Sequence, residues 1–275
     1  SGADMSTKFY RIFDTKTNFL GLDINALRHI ITPTIGYLYT HPPTIPGSNI
    51  KQIDPGIDSV NRGNTAALSL SNKLQTKRKG QSVDFVDFLI TTNVVLDPKL
   101  GDNAFLASRE GEGLKSNFSD ILFNLKVLPY SWMRWESDAT FAHASHSGEN
   151  FNEFSLANYS LTFDLPKESS FSIGQRYQRK GSTEITGSLK WRLSPKWKFG
   201  IYHRYTIKKS AILQRGSAEQ EYTLTRDLHC WDMDITLNKK EISGTTIFFT
   251  FRLKAFPENE FGFNQEMTKQ KTGAQ

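Results

Sequence analysis

An all-β chain, an antiparallel transmembrane β-barrel segment of about twelve strands, is the fold class this sequence predicts. Three observations predict it. Apolar and polar residues alternate with period two in run after run, each on the order of ten residues, the length a tilted strand needs to cross an outer membrane. Between the runs, very short connections alternate with others, several of them long, as in barrels with short periplasmic turns and longer outer loops. All five tryptophans, Trp132, Trp135, Trp191, Trp197 and Trp231, lie in or near short turns. An indole is most stable at a membrane interface, whereas a soluble sandwich would bury tryptophan at mid-strand.

Composition narrows the class. The chain has 275 residues, 12% of them aromatic, and a mean hydropathy of −0.47. That is too aromatic for disorder and too polar for helical membrane spans. No apolar run approaches the roughly 18 residues of a membrane helix. The opening SGADMSTKFYR lacks an apolar signal core, so a cytosolic protein, a mature product or a fragment is expected. A net charge of +6 favours anionic partners, whether nucleic acid, lipid headgroups or phosphorylated glycans. The single cysteine, Cys230, cannot form a disulfide within the chain. It is inert, reactive or paired to something outside.

The elements follow in order. Residues 1–28 hold the end of a preceding strand, near Lys8 to Phe13, and a connection. Strands are expected from about Ile30 to Thr40, interrupted at Pro33, and over 65–75, where Ala66, Leu68, Leu70 and Leu74 alternate with polar residues. Further runs lie near 86–96, 121–127, 133–143, 155–165, 170–179, 183–193 and 197–208. The clearest alternation is in the last three runs, Tyr222–Leu228, Trp231–Asn238 and Thr245–Phe256. The barrel strands thus occupy 29–256, and 257–275 read as a polar tail. The final run, with Thr245, Ile247, Phe249, Phe251 and Leu253, is expected at the sheet edge.

Four segments, LRHIITPTIGYLY (27–39), SLSNKLQTKR (69–78), DLHCWDMDI (227–235) and FTFRLKAFPE (249–258), resemble the C-terminal part of the LptD (OstA) family of lipopolysaccharide-assembly proteins. The similarity covers nearly the whole chain before the tail, and it rests on the order and spacing of the four segments. It implies an outer-membrane location in a Gram-negative-type bacterium and delivery of lipopolysaccharide to the outer leaflet through a barrel with a lateral seam. It implies a plug lipoprotein of the LptE kind, a periplasmic bridge protein reached through an N-terminal domain absent here, surrounding outer-membrane lipid, and no nucleic acid. Enzymatic chemistry, cofactors and metals are not implied. The chain has about half of the family's strands. Where the family often carries two adjacent cysteines, it reads His229-Cys230, so one bridge to an N-terminal cysteine is what the resemblance implies for Cys230.

The polar parity of the later strands is rich in charge: Lys190, Arg192, Lys198, Arg204, Asp232, Asp234, Arg252 and Lys254, with Glu184 and Lys208 beside them. In a barrel these side chains face the lumen. They are a passage for phosphorylated sugar headgroups or an ordinary solvated wall. The seam in this reading is the run Thr245–Leu253, and the five tryptophans form an interfacial belt. Asp232 and Asp234 share a parity, as an acid–base pair would, but no histidine or serine is placed beside them. His143 and His146 are weak metal candidates, and His203 falls on the apolar parity. Two other functions remain open: an outer-membrane barrel enzyme of lipase or protease type, and a diffusion porin.

Overall fold

A computed structural model describes residues 1–41, 44, 63–96, 118–142, 145–146, 149–150, 153–208 and 215–267. The strands are β1 (Gly2–Ser6), β2 (Phe9–Thr17), β3 (Ile24–Thr40), β4 (Gly63–Arg78), β5 (Gln81–Val95), β6 (Ile121–Tyr130), β7 (Met133–Ala142), β8 (Ser145–His146) and β9 (Glu149–Asn150). They continue as β10 (Glu153–Leu165), β11 (Ser169–Gln178), β12 (Thr183–Ser194), β13 (Trp197–Lys208), β14 (Gly216–Asp227), β15 (Trp231–Lys240), β16 (Gly244–Leu253) and β17 (Phe256–Met267). Fifteen of them form one antiparallel sheet in which β1 and β2 both pair with β3 and each later strand pairs with the next, while β8 and β9 form a separate small ladder. The chain is all-β: among the described residues the only helical piece is one short 3-10 turn at Phe19–Gly21.

The twelve runs expected from alternation correspond to β3–β7 and β10–β16. Three further strands belong to the sheet and correct the sequence reading. β1 and β2 occupy the segment read as a strand end and a connection, and both pair with β3. They are in effect one interrupted strand. The Thr7 amide donates to the Pro33 carbonyl at 3.3 Å, but Pro33 has no N–H to return, so the ladder breaks there.

The third strand is β17, in the segment read as a tail. Phe261 and Phe263 sit in register with Phe251 and Phe249, and Glu260 and Glu266 with Arg252 and Thr246. The alternation continues with fewer apolar residues. β16, expected at the edge, is therefore an interior strand, hydrogen-bonded to β15 on one side and β17 on the other. The strand order begins at β1 and β2 and ends at β17.

The sheet divides into two compact units, residues 1–127 with 137–155, and residues 128–136 with 156–275. In the first, β4 and β5 are joined by Lys79 and Gly80, with φ 49° and 81°. Two consecutive positive φ values are what a two-residue hairpin turn matched to sheet twist requires, and glycine supplies the second without a Cβ clash.

Burial is inverted relative to a water-soluble sheet. Among the described residues, the buried hydrophobic ones are Ile30, Val95, Ala142 and Ala218, while Thr76, Ser119, Ser169, Glu184, Thr206 and Asn238 are buried polar ones. On the apolar face of the second unit, Phe171, Ile173, Ile185, Trp191, Leu193 and Phe249 are all more than two-fifths exposed.

Candidate functional site

The charged residues singled out by parity gather on one face of the second unit. Register shows this directly, because residues opposite one another on neighbouring strands share a face. Arg192 lies opposite Lys198, Lys198 opposite Thr225, and Thr225 opposite Asp234. Arg204 lies opposite Glu219, and Asp232 opposite Arg252.

Two charged belts lie at the ends of this face, with a neutral middle between them. At the end where β13 finishes and β14 begins, the Arg204 guanidinium bridges Glu184 at 3.2 Å and Glu219 at 3.3 Å. Lys240 approaches Glu219 at 3.5 Å, and the Asn238 amide donates to Glu219 at 3.1 Å and to Glu221 at 2.9 Å. Glu184 is only 4% exposed, so its charge depends on Arg204. At the other end, beside the β14–β15 turn, Asp234 accepts from the Thr225 hydroxyl and pairs with Arg252 at 3.3 Å. Lys254 reaches Asp227 at 2.6 Å and Asp232 at 3.7 Å. Arg192 pairs with Glu168, which Lys198 also reaches at 3.3 Å. Hydroxyl pairs fill the middle, Ser172 with Ser188 at 2.6 Å and Thr223 with Thr236 at 3.2 Å.

This arrangement constrains the chemistry. Of the eight charged candidates, Lys190 alone has no ion pair within the described residues. The other cations are matched by carboxylates of the same face or, for Arg192 and Lys198, by Glu168 of the adjoining turn, so the surface is a self-neutralised polar wall rather than a row of free cations. The partners Glu168, Glu219, Glu221 and Asn238 were not visible in sequence, because nothing along one strand tells which residue stands across the ladder.

Glu168 lies in the turn 166–168, outside the strands. The hydrogen bond from Lys198, and then the charge of Arg192, hold its carboxyl below the ordinary value of 4.5. A depressed folded value means the pair contributes stability above the ordinary value and loses it as pH falls through the lowered one. Amide exchange at Ser169 and Ser170, corrected for intrinsic rates, should therefore accelerate on acidification below pH 4.5, and Glu168→Gln should flatten that dependence. Equal profiles for the two proteins would show that the pair carries nothing, as for many exposed ion pairs.

The five tryptophans all belong to the second unit. Trp132 sits in the β6–β7 turn, Trp135 early in β7, Trp191 near the end of β12, and Trp197 and Trp231 at the starts of β13 and β15. Trp132 stacks on Tyr130 at 4.9 Å between centroids and on Phe163 at 6.1 Å. The Arg226 guanidinium lies over the Trp197 ring at 5.1 Å.

Cys230 is exposed in the β14–β15 turn with a free thiol. The turn is held by the Asp227 carboxylate, which accepts from the His229 amide at 2.7 Å, and by the Leu228 amide donating to the Trp231 carbonyl at 2.8 Å. Asp232 and Asp234 are both engaged by cations, with no histidine bonded to either carboxylate among the described residues. His203 shares a hydrogen bond with the Ser217 hydroxyl at 2.9 Å. His143 and the side chain of His146 lie outside the described residues. Within the described residues no three His, Cys, Asp or Glu side chains converge on a metal site. The seam residues Thr245, Ile247, Phe249, Phe251 and Leu253 lie on one parity of β16, in the interior of the strand order.

Compared with known proteins, the chain matches no protein-family model and no curated protein.

Proposed function

We propose that this chain is the C-terminal barrel portion of an outer-membrane translocon that inserts lipopolysaccharide into the outer leaflet. The observation that supports the membrane half of the reading is the inverted burial: exposed aromatic and aliphatic side chains on one sheet face, buried or ion-paired polar groups on the other. That is how a strand divides between lipid and a hydrated lumen. Support for the transport half is the resemblance carried by residues 27–39, 69–78, 227–235 and 249–258, which fall on β3, on β4, on the β14–β15 turn and on β16 with the start of β17.

In this reading the self-neutralised polar wall faces the glycan headgroup. Its hydroxyl middle and matched charges offer hydrogen bonds without one strong anion trap, which suits passage better than retention. β16 is paired on both sides, by β15 and by β17, so in this reading the lateral seam lies elsewhere than at β16. A plug lipoprotein of the LptE kind fills the lumen, and a periplasmic bridge protein delivers cargo to sequence outside this chain.

Depletion of the full-length protein from its own bacterium is the test. Surface-labelled lipopolysaccharide should fall severalfold while influx of small hydrophilic solutes stays unchanged. Normal surface lipopolysaccharide with reduced solute influx would overturn the transport reading in favour of a porin.

A further inference from the structure

An arginine stands on the apolar parity of the second unit. Arg226 is the next-to-last residue of β14, exposed, and in register with Trp197 of β13 on one side and Met233 of β15 on the other. Its guanidinium lies over the Trp197 ring, 5.1 Å from the centroid, so the two side chains share one face. The surroundings on that face are apolar. Phe199 and Leu224 form the next pair on the same parity, and Met233 stands opposite Phe251 of β16. From β13 to β16 this parity carries no aspartate or glutamate.

Position along the strand matters as much as face. The Trp197–Arg226 pair is the first of the β13–β14 ladder. The next amide, that of Asp227, donates to the Lys196 carbonyl of the β12–β13 turn at 2.8 Å. Arg226 therefore lies at the strand ends, where a lipid-facing arginine costs far less than at the midplane. On the opposite face Arg192, Arg204 and Arg252 are each matched by a carboxylate, from Glu168, Glu184 and Asp234. Arg226 makes no ion pair within the described residues, and its printed partner is an indole.

We propose that Arg226, positioned by Trp197, binds the phosphate of one anionic glycerophospholipid in the leaflet on the side of the β12–β13 and β14–β15 turns. The proposal rests on the outer-membrane reading, which puts this parity in lipid. A guanidinium over an aromatic ring keeps N–H donors for a second partner, and a phosphate oxygen pair matches their fork. Indole and guanidinium both suit the boundary between acyl chains and headgroups. The apolar neighbours take the acyl chains that follow the phosphate, from which a free anion would gain nothing. No carboxylate of this parity receives a headgroup ammonium, so phosphatidylglycerol is favoured over a zwitterionic lipid.

The test uses the full-length protein, reconstituted into nanodiscs of equal parts phosphatidylglycerol and phosphatidylcholine and released for native mass spectrometry. The wild type should retain phosphatidylglycerol in preference to phosphatidylcholine. Arg226→Gln should reduce that retention about tenfold, a change of about 1.4 kcal/mol in affinity. Arg226→Lys keeps the charge without the fork and should fall between the two. Lys239→Gln removes a cation of the same parity at the far end of β15 and should match the wild type. Both positions are exposed, and gel mobility before and after heating shows each variant folded. Equal retention by wild type and Arg226→Gln would overturn the proposal, as would an equal loss in Lys239→Gln. Displacement of the lipid by excess inorganic phosphate would overturn the choice of a lipid. In protein released from native membranes, retention of lipopolysaccharide alone would overturn the choice of glycerophospholipid. A wild type that enters the bilayer and retains both lipids equally defeats this inference alone, whereas one that never enters the bilayer defeats the membrane reading itself.

Discussion

Phe249→Arg should lower the folding free energy in lipid vesicles by about 2–4 kcal/mol, the cost of a cation on the lipid side near a bilayer midplane. Phe249 is 42% exposed, lies near the middle of β16, and stands between Ile235 of β15 and Phe263 of β17. The sign of the effect separates two kinds of protein. On a water-facing sheet, replacing an exposed phenylalanine by arginine would change stability by less than about 0.5 kcal/mol and improve solubility. Thr250→Arg, on the other face beside Asp234, is the control and should cost far less. Urea titration of vesicle-folded protein reads all three values. A neutral Phe249→Arg would remove lipid from that face.

Arg204→Met should cost about 3 kcal/mol, because it strips the cation from a buried carboxylate rather than from a solvated one. The Glu184 side chain is only 5% exposed, and Arg204 is its salt-bridge partner. Glu219, at 16%, keeps Lys240 and Asn238, so most of the loss comes from Glu184. Adding Glu184→Gln to Arg204→Met should restore at least about half of the stability, since it removes the stranded charge. A double variant as unstable as the sum of the singles would mean that the guanidinium acts by packing alone.

Much of the fold was legible because each strand states its own case. In β4 and β13 the two-residue alternation belongs to the strand itself and needs no partner to be seen. β1 and β17 were not legible for the opposite reason. Gly2–Ser6 has no apolar alternation and joins the sheet through backbone hydrogen bonds to β3. In β17 the alternation is carried by few apolar residues among glutamates and asparagines, so the strand count stopped one strand early. That error moved the expected edge from β17 to β16.

The site was legible by face and not by pairing. Parity placed Arg204 and Asp234 on the polar side, but Glu219 as the partner of Arg204 depends on register and on a bulge next to Arg204.

The central claim is that the apolar parity of these strands faces lipid and the polar parity faces water. A nitroxide scan of β13, one label at a time from Lys198 to Thr206 in vesicle-reconstituted protein, tests it most directly. Labels at Phe199, Ile201 and Tyr205 should collide readily with dissolved oxygen and poorly with a water-soluble nickel chelate. Labels at Lys198, Tyr202 and Arg204 should show the reverse, so accessibility alternates with period two. Nickel accessibility that is high at both parities, or high only at Phe199, Ile201 and Tyr205, would contradict the account.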